Sequence, residues 1–356
     1  MSAAAGESHR VAVVQHPPVL LDRDATIARA VKFVEEAARQ GAKLIAFPET
    51  FIPGYPLWVG HLRGFEHRAF LDTLYGRLLD NAVDLSADHL RPLRESARRH
   101  GVTVVCGIDE RDTFSRGTIY NTVVIIGPDG AIANRHRKLV PTDGERTVWA
   151  PGDGSGLRVV DSPSGRLGAL ICWENYMPLA RYTLFAQGVE VYVAPTWAFG
   201  DRWVASMRHI AFEGRCWVLG CGSAVHIDDV PADLPGRSEL KTKDGWLNTG
   251  DSVIVSPIDG TVVAGPLRAD RGILYADCDP AVVGGARRRL DVAGHYGRPD
   301  VFTLRVNRAG RDPIAFVGER PAAAVVPDRD PATDVIMRDA REGCESLAES
   351  ARLESV

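Results

Sequence analysis

The chain carries one layout twice, and that repetition constrains its fold more than any other feature. In the first copy the apolar strand Val11–Gln15 is followed by Ile27, Ala30, Val31, Val34 and Ala38 at helical spacing, with charges between them. Gly41 stops that helix, and Leu44–Phe47 reads as a short buried strand. A second helical stretch lies around Ala87–Arg99, and Val102–Ile108 is a third strand. Asn121–Arg135 then sets Pro128, Asp129 and Gly130 between two alternating strands, the mark of a hairpin. The second copy reads as a strand at Arg166–Cys172, a helix after Pro178, a strand at Val189–Pro195, a helix at Asp201–Gly214 and a strand at Cys216–Val225. Asp251–Gly265 repeats the hairpin, with Pro257, Asp259 and Gly260 at its turn. Strand–helix–strand order predicts an α/β layered fold. Two such halves predict two sheets packed face to face, with helices outside.

At 356 residues the chain can bury a large core as one unit. Hydrophobic residues make up 45% and charged residues 25%, and the net charge of −4 offers no basic face for a polyanion. Nucleic acid is therefore not an expected partner. The N-terminus lacks a basic segment followed by an apolar one, and no apolar run reaches the ~18 residues that span a bilayer. The six cysteines, Cys106, Cys172, Cys216, Cys221, Cys278 and Cys344, form no CxxC pair and no regular framework. Reduced thiols and a cytoplasmic location are expected. The segment His226–Asn248 reads as a surface loop or insertion. Residues 8–317 read as one domain, and 318–356 as a linker with a short exposed helix or a disordered tail.

Three reactive side chains end apolar strands, where α/β folds gather their loops and bind ligands. Cys172 leaves the strand Leu167–Ile171 into a Trp173-Glu174-Asn175 turn, before a helix opened by Pro178. Helix amides near such a thiol favour its thiolate, and the peptide N–H after it can hold a developing negative charge. Glu49 follows a buried strand between Pro48 and Pro53, and partial desolvation there raises a carboxyl toward a useful base. Lys138 lies after the first hairpin, before Val140-Pro141. Each also has a bland role: core cysteine, turn cap, solvated lysine. The run Gly152–Gly156 lacks the strand–loop–helix setting and the lysine of a phosphate loop.

Together these segments resemble the nitrilase superfamily, whose signature is a Glu–Lys–Cys triad in this order. Cys172–Arg181, Val193–Trp197, Met207–Val218 and Asp291–Phe302 look like true nitrilases. So does RKLVPT followed by Glu145, Trp149 and GDGSG. The resemblance spans roughly Val11 to Val306. Amidase and carbamoylase branches share the triad but usually lack Trp-Glu after the cysteine. The family implies a four-layer α-β-β-α sandwich, in keeping with the pseudo-repeat, and dimers that associate further, often into spirals or filaments, an assembly in which the tail 318–356 commonly takes part. It implies Cys172 as nucleophile, Glu49 as base, Lys138 as charge stabiliser and Glu145 as a second glutamate that orients the lysine or the water. The substrate would be a small nitrile, with no cofactor. No HExxH or histidine ligand spacing calls for a metal. Tyr55, Trp58, Trp173, Thr196, Trp197 and Phe199 are candidates to line the pocket. Glu174 is a candidate to orient the cysteine turn, while His136 and His295 are expected to pack or hydrogen-bond. Amide hydrolysis, cyanide hydration and a non-catalytic assembly protein on the same fold are the competing readings. A cysteine protease would need a Cys–His pair instead.

Overall fold

The computed structural model of the protein describes residues 8–310. The predicted tail 318–356, Cys344 and the last residues of the predicted domain lie outside the described residues. The first half runs β1 (His9–Gln15), α1 (Arg23–Arg39), β2 (Leu44–Ala46), α2 (Arg68–Asn81), α3 (Arg91–His100), β3 (Thr103–Arg111), β4 (Ile119–Ile126) and β5 (Ile132–Arg137). The second runs β6 (Val160–Ser162), β7 (Gly165–Ala169), α4 (Pro178–Phe185), β8 (Val191–Thr196), α5 (Asp201–Gly214), β9 (Trp217–Gly222), β10 (Ala224–His226), β11 (Trp246–Val255) and β12 (Val262–Arg268). β13 (Gly272–Cys278) and α6 (Ala281–Arg287) close the described chain.

The repeat appears in the strand order. One sheet reads β13-β1-β2-β3-β4-β5, the other β10-β11-β9-β8-β7-β6 with β12 on β11. In each, three parallel strands (β1, β2, β3 and β7, β8, β9) meet an antiparallel hairpin (β4–β5 and β11–β12). Side chains alternate across every strand. Val11 and Val13 of β1 face the second sheet, while Ala12 and Val14 face the helices. Val191 and Val193 of β8 face the first sheet, and Tyr192 and Ala194 lie under α4 and α5. The result is a four-layer α-β-β-α sandwich with an apolar seam between the sheets. Burying each Val or Leu in that seam contributes roughly 1.5–3 kcal/mol.

The expectations did not include β6, β13 or α6, and three further differences bear on the site. α2 was not anticipated, because only Leu74 and Leu78 of its fourteen residues are buried and the apolar stripe is thin. The single strand expected over Cys216–Val225 breaks at Ser223: β9 pairs with the end of β11 near Val253, and β10 with its start near Thr249. The 226–248 segment does not merely cover the surface. Val230, Leu234 and Leu240 are buried in one cluster with Tyr55, Trp58 and Trp149.

Candidate active site

Glu49 stands on a loop pinned on both sides to β3. Phe47 N–H donates to Val105 O at 2.8 Å, and Ile52 N–H to Gly107 O at 3.2 Å. The loop between them crosses directly over Gly107, where a Cβ would lie 2.3 Å from Pro48 O and 2.4 Å from Thr50 N. Only glycine leaves room for that crossing. Lys138 follows β5 with its backbone fixed twice, its N–H donating to Asn121 O and its O accepting from Gly152 N–H, both at 2.8 Å. Cys172 opens a 3-10 turn, Cys172–Tyr176, after β7. Asn175 Nδ2 holds that turn by donating to Cys172 O at 2.7 Å.

These loops converge. Lys138 Nζ donates to Glu49 Oε1 at 2.8 Å and to Glu145 Oε2 at 2.7 Å. Asn121 Nδ2 also donates to Glu49 Oε1, at 2.7 Å, and Trp197 N–H donates to Glu49 Oε2 at 2.6 Å. Tyr55 Oη donates to Glu145 Oε1 at 2.8 Å, and the Tyr55 ring stacks on Trp197 at 4.3 Å. Glu49, Lys138, Glu145 and Cys172 are all buried. One cation thus faces two carboxylates and a thiol.

Burial raises the Glu49 carboxyl above its ordinary range; Lys138 opposes this and Glu145 adds to it. Burial works against the Lys138 ammonium, but Glu49 and Glu145, each in direct contact with it, outweigh that and hold the charge. Burial pushes the Cys172 thiol up to about 12, Glu49 adds to that, and Lys138 pulls the other way. This corrects the expectation of a thiolate favoured by helix amides. A short 3-10 turn follows the cysteine, and α4 begins only at Pro178, so the resting site holds a neutral thiol that needs a base.

The backbone is strained at or near Glu49, Glu145 and Cys172. Thr50, Asp143 and Cys172 have positive φ angles of 42°, 44° and 51°. Residues with side chains adopt this region at a cost, and such strain collects at functional sites. At Cys172 it turns the chain sharply off its strand.

Cys172 and Glu145 line the wall of a cleft of about 750 Å3, with Tyr55, Trp173, Trp197 and Phe199. Thr196 is fully buried behind it, its Oγ1 accepting from Ala198 N–H at 2.7 Å. Trp58 does not line the cleft. It is buried in one cluster with Leu74, Leu78 and Val148 and borders an adjoining cavity that shares Val59, Gly60 and Gly144 with the cleft. Glu174 accepts from His136 Nε2, Leu139 N–H and Ile171 N–H at 3.0, 2.7 and 2.8 Å. Burial pushes its carboxyl up, but His136 and the two amides together hold it below the ordinary range. His295 is exposed and stacks edge-on against Tyr296, away from these groups. Sequence reasoning passed over Asn121. Its signal was a polar residue at the inward parity of a strand whose other inward positions, Val123 and Ile125, are apolar.

The sequence pattern of the carbon–nitrogen hydrolase family matches residues 10–288. The chain belongs to that family. Among its relatives, Nitrilase 3 of Arabidopsis thaliana is 39% identical over 319 residues, covering 86% of this chain and 89% of its own. The aliphatic nitrilase of Sinorhizobium fredii (strain HH103) is 40% identical over 323 residues, covering 89% and 98%. These likenesses place the chain in the nitrilase branch of the carbon–nitrogen hydrolases. The fold is shared with the NitFhit protein of C. elegans, at a TM-score of 0.65 and 24% identity over 85% of this chain and 68% of that one.

Proposed function

We propose that the protein hydrolyses an organic nitrile to a carboxylic acid and ammonia. The observation that carries this is the convergence of buried Glu49, Lys138 and Glu145 beside the Cys172 thiol, at the wall of an aromatic cleft. Glu49 takes the thiol proton, and the Cys172 sulfur bonds to the nitrile carbon. Glu49 passes that proton on to the nitrile nitrogen, giving a covalent thioimidate and a free carboxylate again. Lys138 and the Trp173 N–H hold the charge that builds on nitrogen. Water activated by Glu49 adds to the carbon, ammonia leaves, and a thioester remains. A second water releases the acid and restores the thiol. Glu145, bonded to Lys138 and Tyr55, keeps the ammonium aimed. Tyr55, Trp173, Thr196 and Trp197 belong to the binding wall in this reading, and Trp58 belongs to the core.

The protein would act as a homo-oligomer built from dimers, able to extend into spirals or filaments, in the cytoplasm. Exposed Tyr176 and Leu179 beside the cleft support the first statement. Five free, buried cysteines among the described residues support the second. No described helix is long and apolar enough to cross a membrane.

The test is ammonia and acid release by the purified protein and by Cys172→Ala. The substrates are aliphatic, arylaliphatic and aromatic nitriles, cyanide and the matching amides. Acid from nitriles, reduced ~1000-fold or more in the variant, is the expected result. Turnover of amides alone moves the reaction to amide hydrolysis. Silence on every substrate in a folded sample leaves a non-catalytic assembly protein.

A further inference from the structure

Asp109 lies fully buried on β3, and nothing in the mechanism above uses it. It is the direct cross-strand partner of Asn121 on β4. Directly opposed side chains on one face sit with Cβ atoms about 4.5–5.5 Å apart. Trp149 Nε1 donates to Asp109 Oδ1 at 2.6 Å, which leaves Oδ2 buried with no donor among the described residues. Asn121 has the same defect. Its Nδ2 donates to Glu49 Oε1, while its Oδ1 is buried with no donor among the described residues. Two orphan acceptors therefore occupy opposed positions, and one proton between them would satisfy both.

We propose that Asp109 is held as a neutral carboxylic acid whose Oδ2–H donates to Asn121 Oδ1, making Asp109 a positioning residue for Glu49. The amide of Asn121 has one donor end and one acceptor end. Glu49, as a carboxylate, claims the donor end, so the acceptor end must face Asp109. An ionised Asp109 would claim the donor end itself, turn the amide over and present an oxygen to Glu49. The neutral acid at Asp109 and the ionised base at Glu49 thus require each other. The surroundings agree. Burial pushes the Asp109 carboxyl well above the carboxylate range; the Trp149 hydrogen bond pulls it down and the charge on Glu49 pushes it up again. The chain Trp149–Asp109–Asn121–Glu49 runs from a core tryptophan to the carboxylate that faces the thiol.

This inference rests on Glu49 acting as the base, and two measurements separate its failure from failure of that assignment. The first needs no turnover. An infrared difference spectrum of wild type minus Asp109→Asn near neutral pH is expected to show the carbonyl band of a protonated carboxyl, shifted in deuterium oxide. Absence of the band overturns the proposal. The second compares Asp109→Asn with Asp109→Leu. Asparagine can donate to Asn121 and accept from Trp149, as the neutral acid does. It is expected to keep kcat/KM within ~3-fold and to leave the acid limb of the pH profile in place. Leucine fills the space without either bond. It is expected to lower kcat ~10-fold or more and to move the acid limb to higher pH, since Glu49 loses an anchored donor. Asparagine as damaging as leucine, or leucine without effect, overturns the proposal. A wild type inert on every nitrile would sink the functional reading and leave this one to the infrared band.

Discussion

Glu174 accepts the peptide N–H of Leu139 at 2.7 Å across 35 residues of sequence. Leu139 follows Lys138, and Glu174 stands two residues after Cys172. The same carboxylate accepts from Ile171 N–H and His136 Nε2. One buried side chain thus ties the turn that carries the thiol to the strand end that carries the ammonium. Replacing it with glutamine leaves a single acceptor oxygen for these donors and turns an NH2 group against one of them. Glu174→Gln is expected to lose about 3 kcal/mol or more in urea unfolding, with kcat reduced in the fraction that folds. A stability loss below about 1 kcal/mol would contradict the tie.

Gly107 is set by the loop above it, not by its own dihedral angles. A methyl at this position meets Pro48 O and Thr50 N inside their contact distance. Gly107→Ala is therefore expected to push the Glu49 loop off β3. It should cost about 1–3 kcal/mol by overpacking and lower kcat far more than it raises KM. Steady-state kinetics on a folded variant decide it; wild-type kcat would mean that the loop yields without moving its carboxylate.

Tyr55 joins a ring stacked on Trp197 to a hydroxyl bonded to Glu145. Tyr55→Phe keeps the first and removes the second. The expected outcome is a stability loss of about 1–2 kcal/mol and a kcat about tenfold lower, because Glu145 holds Lys138 with one anchor fewer. An unchanged kcat with a raised KM would assign the hydroxyl to substrate binding instead.

The five buried thiols among the described residues predict sensitivity to alkali. Burial pushes Cys172, Cys216 and Cys278 up to about 12, and raises Cys106 and Cys221 as well. An unfolded cysteine ionises near pH ~8.5. Above that pH the denatured chain sheds protons that the native chain keeps, so stability falls as pH rises toward about 12. Each thiol contributes a slope of ~1.4 kcal/mol per pH unit in that window. Urea midpoints measured between about pH 8 and pH 10 should fall steeply, and Cys216→Ala should remove one proton's worth of the slope. A flat profile would show that the thiols ionise in place.

The frame was legible because its signals are local and occur twice. Val11–Gln15 and Leu44–Phe47 are apolar runs that only a strand buried on both faces explains, and both hairpins carry their own turn residues. Glu49 and Cys172 stood out as candidates for a related reason, since each interrupts the end of such a run. Partnership was not legible. That Glu174 would reach Leu139, or that Trp58 would turn into the core while Tyr55 faced the cleft, depends on which way each side chain points after its strand ends. Asn121 and Asp109 stayed hidden because their meaning lies in cross-strand register, which no stretch of sequence displays by itself. α2 escaped because its buried face is two leucines wide.

Because the frame is doubled, each strand end that bears a reactive side chain has a counterpart without one. The thiol follows β7; the counterpart end, on β1, carries Gln15, whose amide is spent on Leu267 O, Asp270 O and Ser252 N–H. Glu49 follows β2; the matching loop after β8 offers Glu49 the N–H of Trp197. Lys138 follows β5, and at the end of β12 stands another cation, Arg268, also held between two carboxylates, Asp251 and Asp201. The two cations differ in their medium. The Lys138 side chain is 1% exposed and that of Arg268 is 47% exposed. Water screens the arginine and its partners, while the lysine and its two carboxylates attract one another in a buried, weakly screened setting. Symmetry of the scaffold thus supplies two similar ion triplets, one sealed from water around Lys138 and one open to it at the surface around Arg268.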